Sequence, residues 1–409
     1  MRVEKRQIGS NIVYSLPVRG VKTLSLAFAV PVGSAHEPKD FAGAAHLLEH
    51  VVFKGTKNYE EFALKYELEV VGGSVNAFTT KDFTVYYTRV PYSHYEKAIE
   101  ILCELVFNPL VEEPMVELEK SVVIEEIKSF NEDYVSRVQD LFGETILQEP
   151  YDRPVSGYED TVAKLNSKIL KDFHSQKYGN LRVIAVGKVT KSFFEKLEKF
   201  LRNFDKAVRE EDRAISFKPI SRVFEEKNDL TQIHAIVGLP VQLGIQSKEY
   251  PAFLVLSTLL GSGMSSLLFN RIREKHGLVY DIDLLSNVWK ERSLMGIYAS
   301  TSVEKFSRYT EEIHKIFREA SISREYFEYG KKRLIGKLQM VTESVPAIFG
   351  YLLEFVMVKV EPLELENLLK SVESVTHKDV QSLWQELCTS ERHWSCLIPK
   401  GSGGLMNCL

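Results

Sequence analysis

Residues 46–50 read His-Leu-Leu-Glu-His, with two histidines four positions apart and a glutamate directly before the second. On an α-helix, positions i, i+3 and i+4 lie close to one line, so His46, Glu49 and His50 project from the same face. The neighbouring residues are leucine and valine, which makes the other faces of this helix apolar. A buried helix carries two imidazoles and a carboxylate only where these groups have partners. The pattern predicts a helix over residues 43–53 that presents ligands to a metal ion.

The chemistry of such a ligand set is specific. Two imidazoles and a carboxylate from elsewhere in the chain form a three-ligand zinc site whose fourth position is open to water. Zinc lowers the pKa of that water to about 7, and a nearby glutamate can take its proton. The order H-x-x-E-H is the inverzincin signature, the reverse of the commoner H-E-x-x-H. The motif therefore indicates hydrolysis of peptide bonds, and the alternative is an exposed helix with two histidines by chance.

A second helix is predicted from Pro114 to Phe130, and it carries the next candidate carboxylates. Glu119 and Glu126 are seven positions apart, two helical turns, so they share one stripe of this helix with apolar residues. Glu125 points about 100° away from Glu126 and is expected in solvent. Two carboxylates on an apolar stripe need a counter-charge; a pair of surface glutamates is the alternative, and the spacing alone leaves it open.

Residues 43–56, GAAHLLEHVVFKGT, resemble the zinc-binding segment of the M16 metallopeptidases. The resemblance implies one zinc ion per chain, held by His46, His50 and Glu126. The spacing from His50 to the distal glutamate fits the family, which favours Glu126 over Glu125. No H-x-x-E-H occurs in the second half of the sequence, so the first half alone is expected to hold metal.

The resemblance also assigns catalytic groups. Glu49 would be the general base, and Glu119 occupies the place of a glutamate that orients a zinc ligand. Arg273 and Tyr280, seven positions apart, match the Arg/Tyr pair that completes the family's active site from the C-terminal half. A guanidinium and a phenol can bind a substrate carbonyl and stabilise its developing charge. Without the zinc motif, the same two residues would be read as a helix-end cation and a strand tyrosine.

Residues 72–80, GGSVNAFTT, are similar to the family's strand beside the zinc, to which the substrate adds as an extra strand. The predicted substrate-binding residues in it are Asn76, Ala77 and Phe78. An exposed sheet edge binds peptide through backbone donors and acceptors, largely without regard to side chain. An ordinary hairpin with Gly72 and Gly73 as its turn accounts for the same pattern, and both interpretations can hold together.

The arrangement of predicted elements gives an α+β (α/β) fold class. Strands and helices of the first half are followed by a similar series in the second, and the family resemblance covers nearly the whole chain. It implies two related domains, each a mostly antiparallel sheet covered by helices. The predicted ranges are a zinc-binding domain at 1–210, a charged linker at 211–229, a domain with the Arg/Tyr pair at 230–400 and a flexible tail at 401–409.

Composition excludes several functional classes. A net charge of −4 without a basic run gives no reason to expect nucleic acid. No apolar run approaches the roughly 18 residues of a membrane span. The four cysteines lack C-x-x-C spacing and read as reduced thiols, and residues 1–6 lead into no secretory or import signal. These features predict a cytoplasmic enzyme with no membrane partner.

Chain length bears on assembly. In the M16 family, a chain of this size is similar to half of a clamshell, and two halves enclose a chamber. Because the zinc motif and the Arg/Tyr pair stand in one chain, we expect a homodimer in which each zinc faces Arg273 and Tyr280 of the other subunit. Short or unfolded peptides are the expected substrates. A non-catalytic or partner subunit, a processing peptidase for targeting peptides, and another metal-dependent hydrolase remain as alternatives.

Overall fold

A computed structural model describes residues 2–409 and divides them into two compact units. The first unit comprises the chain up to Ser129 together with Glu149–Ala214 and Val341–Glu364. The second comprises Phe130–Gln148, Ile215–Met340 and Leu365–Leu409. Each unit is one sheet with helices, which confirms the predicted fold class.

The elements are numbered in chain order. The strands are β1 Glu4–Ile8, β2 Asn11–Pro17, β3 Thr23–Val30, β4 Ser74–Thr79, β5 Thr84–Pro91, β6 Arg182–Gly187, β7 Arg222–Lys227, β8 Gln232–Val241, β9 Asp281–Val288, β10 Ser293–Ser302 and β11 His393–Pro399. The α-helices are α1 Ala44–Val52, α2 Glu61–Glu69, α3 Tyr95–Phe107, α4 Glu113–Glu132, α5 Tyr134–Ile146, α6 Glu159–Val162, α7 Ser167–Lys177, α8 Lys191–Asn203, α9 Tyr250–Gly261, α10 Val303–Glu319, α11 Arg324–Val341, α12 Val345–Met357, α13 Leu365–Ser374 and α14 His377–Thr389. Short 3-10 helices cover Ser34–His36, Lys39–Phe41, Tyr92–His94 and Gly403–Cys408, and a π-helix covers Phe269–Lys275.

The two sheets share one topology. The first has the order β1-β2-β6-β3-β5-β4 and the second β7-β11-β8-β10-β9. Every pairing is antiparallel except one in each sheet, β2 with β6 and β7 with β11. The last five strands of the first sheet therefore correspond, in order and direction, to the five strands of the second. This correspondence is what two related domains predict.

A helix packs on each sheet, and on the second sheet two glycines make room for it. In the second unit α5 packs on β8 and β11, while in the first unit α12 packs on β6 and β3. Gly238 and Gly296 are directly opposite each other on β8 and β10. A Cβ atom on Gly238 would lie 2.4 Å from the ring of Phe142 on α5, so a larger residue would displace the helix.

The units differ from the contiguous ranges predicted from the sequence. Residues 130–148 join the second unit, and residues 341–364 join the first. Strand β7 lies inside the predicted linker, and residues 403–408 of the predicted tail form a 3-10 helix that packs near α10. β7 was not predicted because it is a charged, mostly exposed edge strand. Such strands lack the alternation of apolar and polar residues that identifies half-buried strands.

A bilayer-spanning helix needs about 20 consecutive apolar residues. None of the helices in residues 2–409 satisfies this requirement alone. Helices α11 and α12 satisfy it as a pair by length and composition, with a bend of 111° between them.

Candidate metal centre

Helix α1 is held in the first unit by its apolar residues. Leu47, Leu48, Val51 and Val52 are completely buried in the core of that unit. This burial leaves the opposite stripe of the helix, which carries the motif histidines, at the edge of the core. The 3.6-residue period of the helix thus separates packing positions from chemical positions, as the sequence predicted.

Helix α4 is anchored in the same way. Val116 and Val123 are completely buried, and Glu119 and Glu126 lie on the stripe beside them. The Glu119 side chain is 8% exposed and that of Glu126 is 34% exposed. Glu125 points elsewhere: its side chain is 73% exposed and pairs with Lys128 at 2.7 Å. The structure therefore separates the two adjacent glutamates as the helical period predicts.

The two helices bring three side chains together. Oε2 of Glu126 lies 3.8 Å from Nε2 of His46 and 3.6 Å from Nε2 of His50. One ligand atom from each of the three residues lies within 4.8 Å of the other two. Within residues 2–409 this is the one group of three histidine, cysteine or acidic side chains with such a spacing. A group with this spacing could hold one metal ion.

His46 has an environment that keeps it neutral. Burial, helped by the nearby His50, lowers the pKa of His46 to about 4. Its Nδ1 atom is buried and has no hydrogen-bond partner, while Nε2 faces Glu126. Neutral imidazole is the form that coordinates metals. At neutral pH, His46 is therefore already in the uncharged form that binds metals.

His50 is oriented by Glu119, which is itself paired with Lys54. Nδ1 of His50 lies 3.1 Å from Oε2 of Glu119, and an ionised carboxylate can only accept, so Nδ1 donates. The other oxygen of Glu119 accepts from Nζ of Lys54 at 2.9 Å, which supplies the counter-charge for this nearly buried group. Lys54 also pairs with Glu61 at 2.9 Å. The tautomer of His50 is thereby set, with Nε2 free to bind metal.

Glu49 lies beside the three converging side chains, in contact with β4. Its Oε2 accepts a hydrogen bond from the hydroxyl of Thr79 at 2.7 Å. Burial raises the pKa of Glu49, and the Thr79 hydrogen bond opposes that shift. A carboxylate with a raised pKa is better matched to proton transfer near neutral pH than an ordinary one.

Strand β4 has the properties expected of a peptide-binding edge. It is the terminal strand of its sheet and pairs on one side with β5. Asn76 is exposed, and Ala77 and Phe78 are partly exposed. The ring of Phe78 packs against Tyr87 of β5, with centroids 6.0 Å apart. The unpaired side of an edge strand presents backbone donors and acceptors to an incoming chain.

Arg273 and Tyr280 belong to the second unit. Arg273 lies on the π-helix with its guanidinium 4.7 Å from the ring centroid of Phe269. Tyr280 directly precedes β9, donates its backbone N–H to Ser300, and has 74% of its surface exposed. The π-helix and β9 pack together, so Arg273 and Tyr280 belong to neighbouring elements of this unit.

Three participants in this region were missed by the sequence analysis: Lys54, Thr79 and Glu37, whose carboxylate contacts the start of α1. The sequence does contain a pattern that points to Lys54. This residue follows His50 by four positions and so continues the helical face of the motif. Thr79 and Glu37 contact α1 from outside the motif segment, and no local periodicity connects them to it.

Comparison with known proteins agrees with this geometry. Residues 18–158 match the family model described as insulinase, peptidase family M16, and residues 164–334 match the M16 inactive-domain model. The chain belongs to peptidase family M16. The description of the second M16 model as inactive agrees with the absence of an H-x-x-E-H motif from residues 164–334.

Curated M16 relatives span nearly the same length. The uncharacterized zinc protease YmxG of Bacillus subtilis is 26% identical, over 93% of this chain and 94% of its own. The uncharacterized zinc protease SCO5738 of Streptomyces coelicolor is 28% identical, over 90% of this chain and 83% of its own. Both relatives are described as zinc proteases.

Solved structures support the fold. A protease from Helicobacter pylori superposes with a TM-score of 0.89 at 20% identity, covering 97% of this chain and 99% of that one. An M16 inactive-domain protein from Pseudomonas fluorescens superposes with a TM-score of 0.86 at 18% identity, covering 98% and 99%. The two-domain M16 fold therefore extends over almost the whole chain.

Proposed function

We propose that this chain is a zinc-dependent endopeptidase that cleaves short or unfolded peptides. The convergence of His46, His50 and Glu126 from two helices, with Glu49 beside them, is the observation that carries the proposal. Comparing cleavage of a quenched-fluorescent peptide by the native, chelator-treated and zinc-restored protein tests it. Activity should disappear with the metal and return with zinc. Undiminished cleavage by metal-free protein would refute the proposal.

The residues present suit zinc. Zinc bonds to histidine nitrogen and carboxylate oxygen are each about 2.0–2.2 Å, so two ligands in a tetrahedral set lie about 3.3–3.6 Å apart. The distances of 3.6 and 3.8 Å from Glu126 to the two imidazoles are close to that range. Two nitrogens and one oxygen also match the three protein ligands of known catalytic zinc sites. We infer that His46, His50 and Glu126 are the ligands.

Glu49 supplies proton transfer in this proposal. A bound zinc ion would polarise the scissile carbonyl and acidify a water. Because Thr79 donates to Oε2 of Glu49, Oε1 is the oxygen left to take a proton from the attacking water. Returning that proton to the leaving amine would complete the hydrolysis, the usual double duty of one carboxylate in acid–base catalysis. Glu119, through its hydrogen bond, holds His50 in the required tautomer.

Substrate binding is proposed to use the edge of β4. An extended peptide added there would hydrogen-bond to the backbone beside Asn76, Ala77 and Phe78, close to Thr79 and hence to Glu49. Arg273 and Tyr280 of the other subunit would then bind the substrate carbonyl and stabilise its developing negative charge. The exposure of Tyr280 supports a role in binding, since a phenol without structural packing is free to contact a ligand.

We also propose a homodimer whose two chains enclose a chamber, in the cytoplasm, with peptides as its only other partners. Because one chain carries the zinc motif and also the Arg/Tyr pair, two copies would suffice to build complete sites. A non-catalytic subunit would not need Glu49. This chain has Glu49 together with the three proposed ligands, which favours a catalytic subunit. Specialisation as a processing peptidase would require an acidic chamber that favours basic targeting peptides.

Complementation tests the shared site. If each zinc centre uses Arg273 and Tyr280 of the other subunit, then Glu49→Gln and Tyr280→Phe chains, each weakly active alone, should restore activity when mixed. Random exchange in a two-fold dimer gives about half mixed dimers, each with one complete site, so we expect about a quarter of native activity. The peptide assay before and after subunit exchange measures this. Mixing that restores nothing, with exchange verified by mass, would place the pair in the same chain's site or in none.

The Glu119–Lys54 pair that orients His50 should affect the affinity for zinc. Glu119→Gln and Lys54→Met should each weaken zinc binding about 10–100-fold, the usual cost of losing a group that orients a metal ligand. Lys128→Met is the matched control, because Lys128 pairs with the exposed Glu125 and not with the site. Competition with a chromogenic chelator measures the three affinities. Equal zinc affinities in all three variants would show that the Glu119–Lys54 pair does not orient His50.

A further inference from the structure

A buried carboxylate holds the start of the helix that carries the H-x-x-E-H motif. Glu37 is 5% exposed, and its Oε2 accepts from the Gly43 N–H at 2.8 Å while Oε1 accepts from the Ala45 N–H at 2.6 Å. Since α1 begins at Ala44, these donors belong to the group at a helix N-terminus that finds no acceptor inside the helix. Both oxygens of one side chain are thus committed to the start of α1.

The helix cannot cap itself at this position. Its N-cap residue is Gly43, which has no side chain and a left-handed backbone with φ 96°. A Cβ atom there would lie 2.6 Å from the carbonyl oxygen of Ser156 and 2.7 Å from Val162, so no serine or aspartate fits. Glu37, from another segment of the chain, provides the acceptor for the first turn.

The segment that carries Glu37 is also hydrogen-bonded to the turn between β4 and β5. The Ser34 N–H donates to the Thr80 carbonyl at 3.0 Å, and the Ala35 N–H donates to the Lys81 carbonyl at 2.8 Å. Thr79, the residue before this turn, is the hydrogen-bond partner of Glu49. Residues 33–37 therefore connect α1 at one end to the β4–β5 turn at the other.

A cation is buried against this segment. Arg153 is 6% exposed, and its Nη2 donates to the Glu37 carbonyl oxygen at 3.2 Å. The carbonyl of Arg153 accepts from Nζ of Lys81, which joins it to the same β4–β5 turn. Burial raises the pKa of Glu37, and the two backbone N–H groups and Arg153 oppose that shift because they favour its charged form. An isolated carboxylate would not be placed here without these partners.

We propose that Glu37 is a positioning residue for the metal centre, which fixes α1 against β4 so that the ligands on α1 and the Glu49–Thr79 contact keep their geometry. The inference rests on the proposed function and adds a residue that touches neither metal nor substrate. Replacement by glutamine keeps size but puts an amide N–H₂ against a backbone N–H, so one first-turn donor loses its acceptor. The start of α1 should then shift, and with it His46 and Glu49.

The test compares Glu37→Gln and Glu37→Asp with Thr190→Val in the full-length protein. Thr190 caps α8 in the same unit, accepting from the Phe193 N–H at 3.4 Å, and α8 carries no site residue. Three quantities are measured: the melting temperature without metal, the zinc dissociation constant, and the visible spectrum of the cobalt-substituted protein. The spectrum reports ligand geometry, which a loss of stability alone would leave unchanged.

We expect Glu37→Gln to raise the zinc dissociation constant about 10–100-fold and to alter the cobalt bands, with Glu37→Asp intermediate. Thr190→Val should lower the melting temperature and leave affinity and spectrum as in the native protein. Native affinity and spectrum in Glu37→Gln would overturn the inference; if that variant does not fold, the same result in Glu37→Asp would do so. A native protein that binds neither ion would refute the proposed function and this inference together, whereas native binding with unaffected variants refutes the inference alone.

Discussion

Glu49→Gln should lower kcat for peptide cleavage about 10²–10⁴-fold, the range expected when a general acid–base group is removed. Glutamine preserves the volume and can still accept from the Thr79 hydroxyl through its amide oxygen, so the fold around β4 should persist. It cannot take a proton from water. Because Glu49 is not among the three converging ligands, the zinc content should stay at the native level. Peptide cleavage and elemental analysis on the same samples measure both quantities.

Glu125→Gln is a suitable control, since it makes the same chemical change on an exposed side chain. Native activity in this variant would show that loss of a glutamate charge near the site is not enough to stop cleavage. If Glu49→Gln lost zinc together with activity, Glu49 would be part of the structure of the site and not its base. Activity retained in Glu49→Gln would remove the general-base role altogether.

Glu126→Gln should abolish cleavage by removing the metal. A group that merely orients a ligand is worth about 10–100-fold in affinity, so loss of the only charged ligand should cost more than about 100-fold. The amide leaves two neutral imidazoles to bind a divalent cation. The Glu126 side chain is one-third exposed, so the substitution should have little effect on folding. Zinc titration of metal-free protein, followed by chelator competition, gives the affinity.

The adjacent glutamate sharpens this comparison. Glu125→Gln differs from Glu126→Gln by one position, about 100° around α4, and should bind zinc as the native protein does. Equal zinc affinity in both variants would contradict the assignment of Glu126. Loss of zinc in Glu125→Gln alone would mean that α4 is rotated in solution relative to the structure.

The core of the site was predictable because its geometry is local. The positions of His46, Glu49 and His50 relative to one another follow from the helical period, and so does the separation of Glu126 from Glu125. That α1 and α4 meet is not local: it came from the resemblance to the M16 family, and the structure brings the three side chains together. The predicted catalytic roles stay predictions until the variants are measured.

Other contacts could not be read from the sequence because their partners are distant in the chain. Glu119 is 65 positions after Lys54, and both are charged residues of a kind that normally lies in solvent. Glu37 caps α1 across a turn whose path depends on the left-handed Gly43. β7 was not predicted for the same reason, since its partner β11 follows about 170 residues later. Pairings of this range depend on the whole fold.

An anomalous difference map from crystals of the native protein, collected at the zinc absorption edge, tests the metal centre most directly. We predict one strong peak per chain, within bonding distance of Nε2 of His46, Nε2 of His50 and the carboxylate of Glu126. No peak there, in crystals grown from protein that cleaves peptides, would contradict the proposed zinc centre.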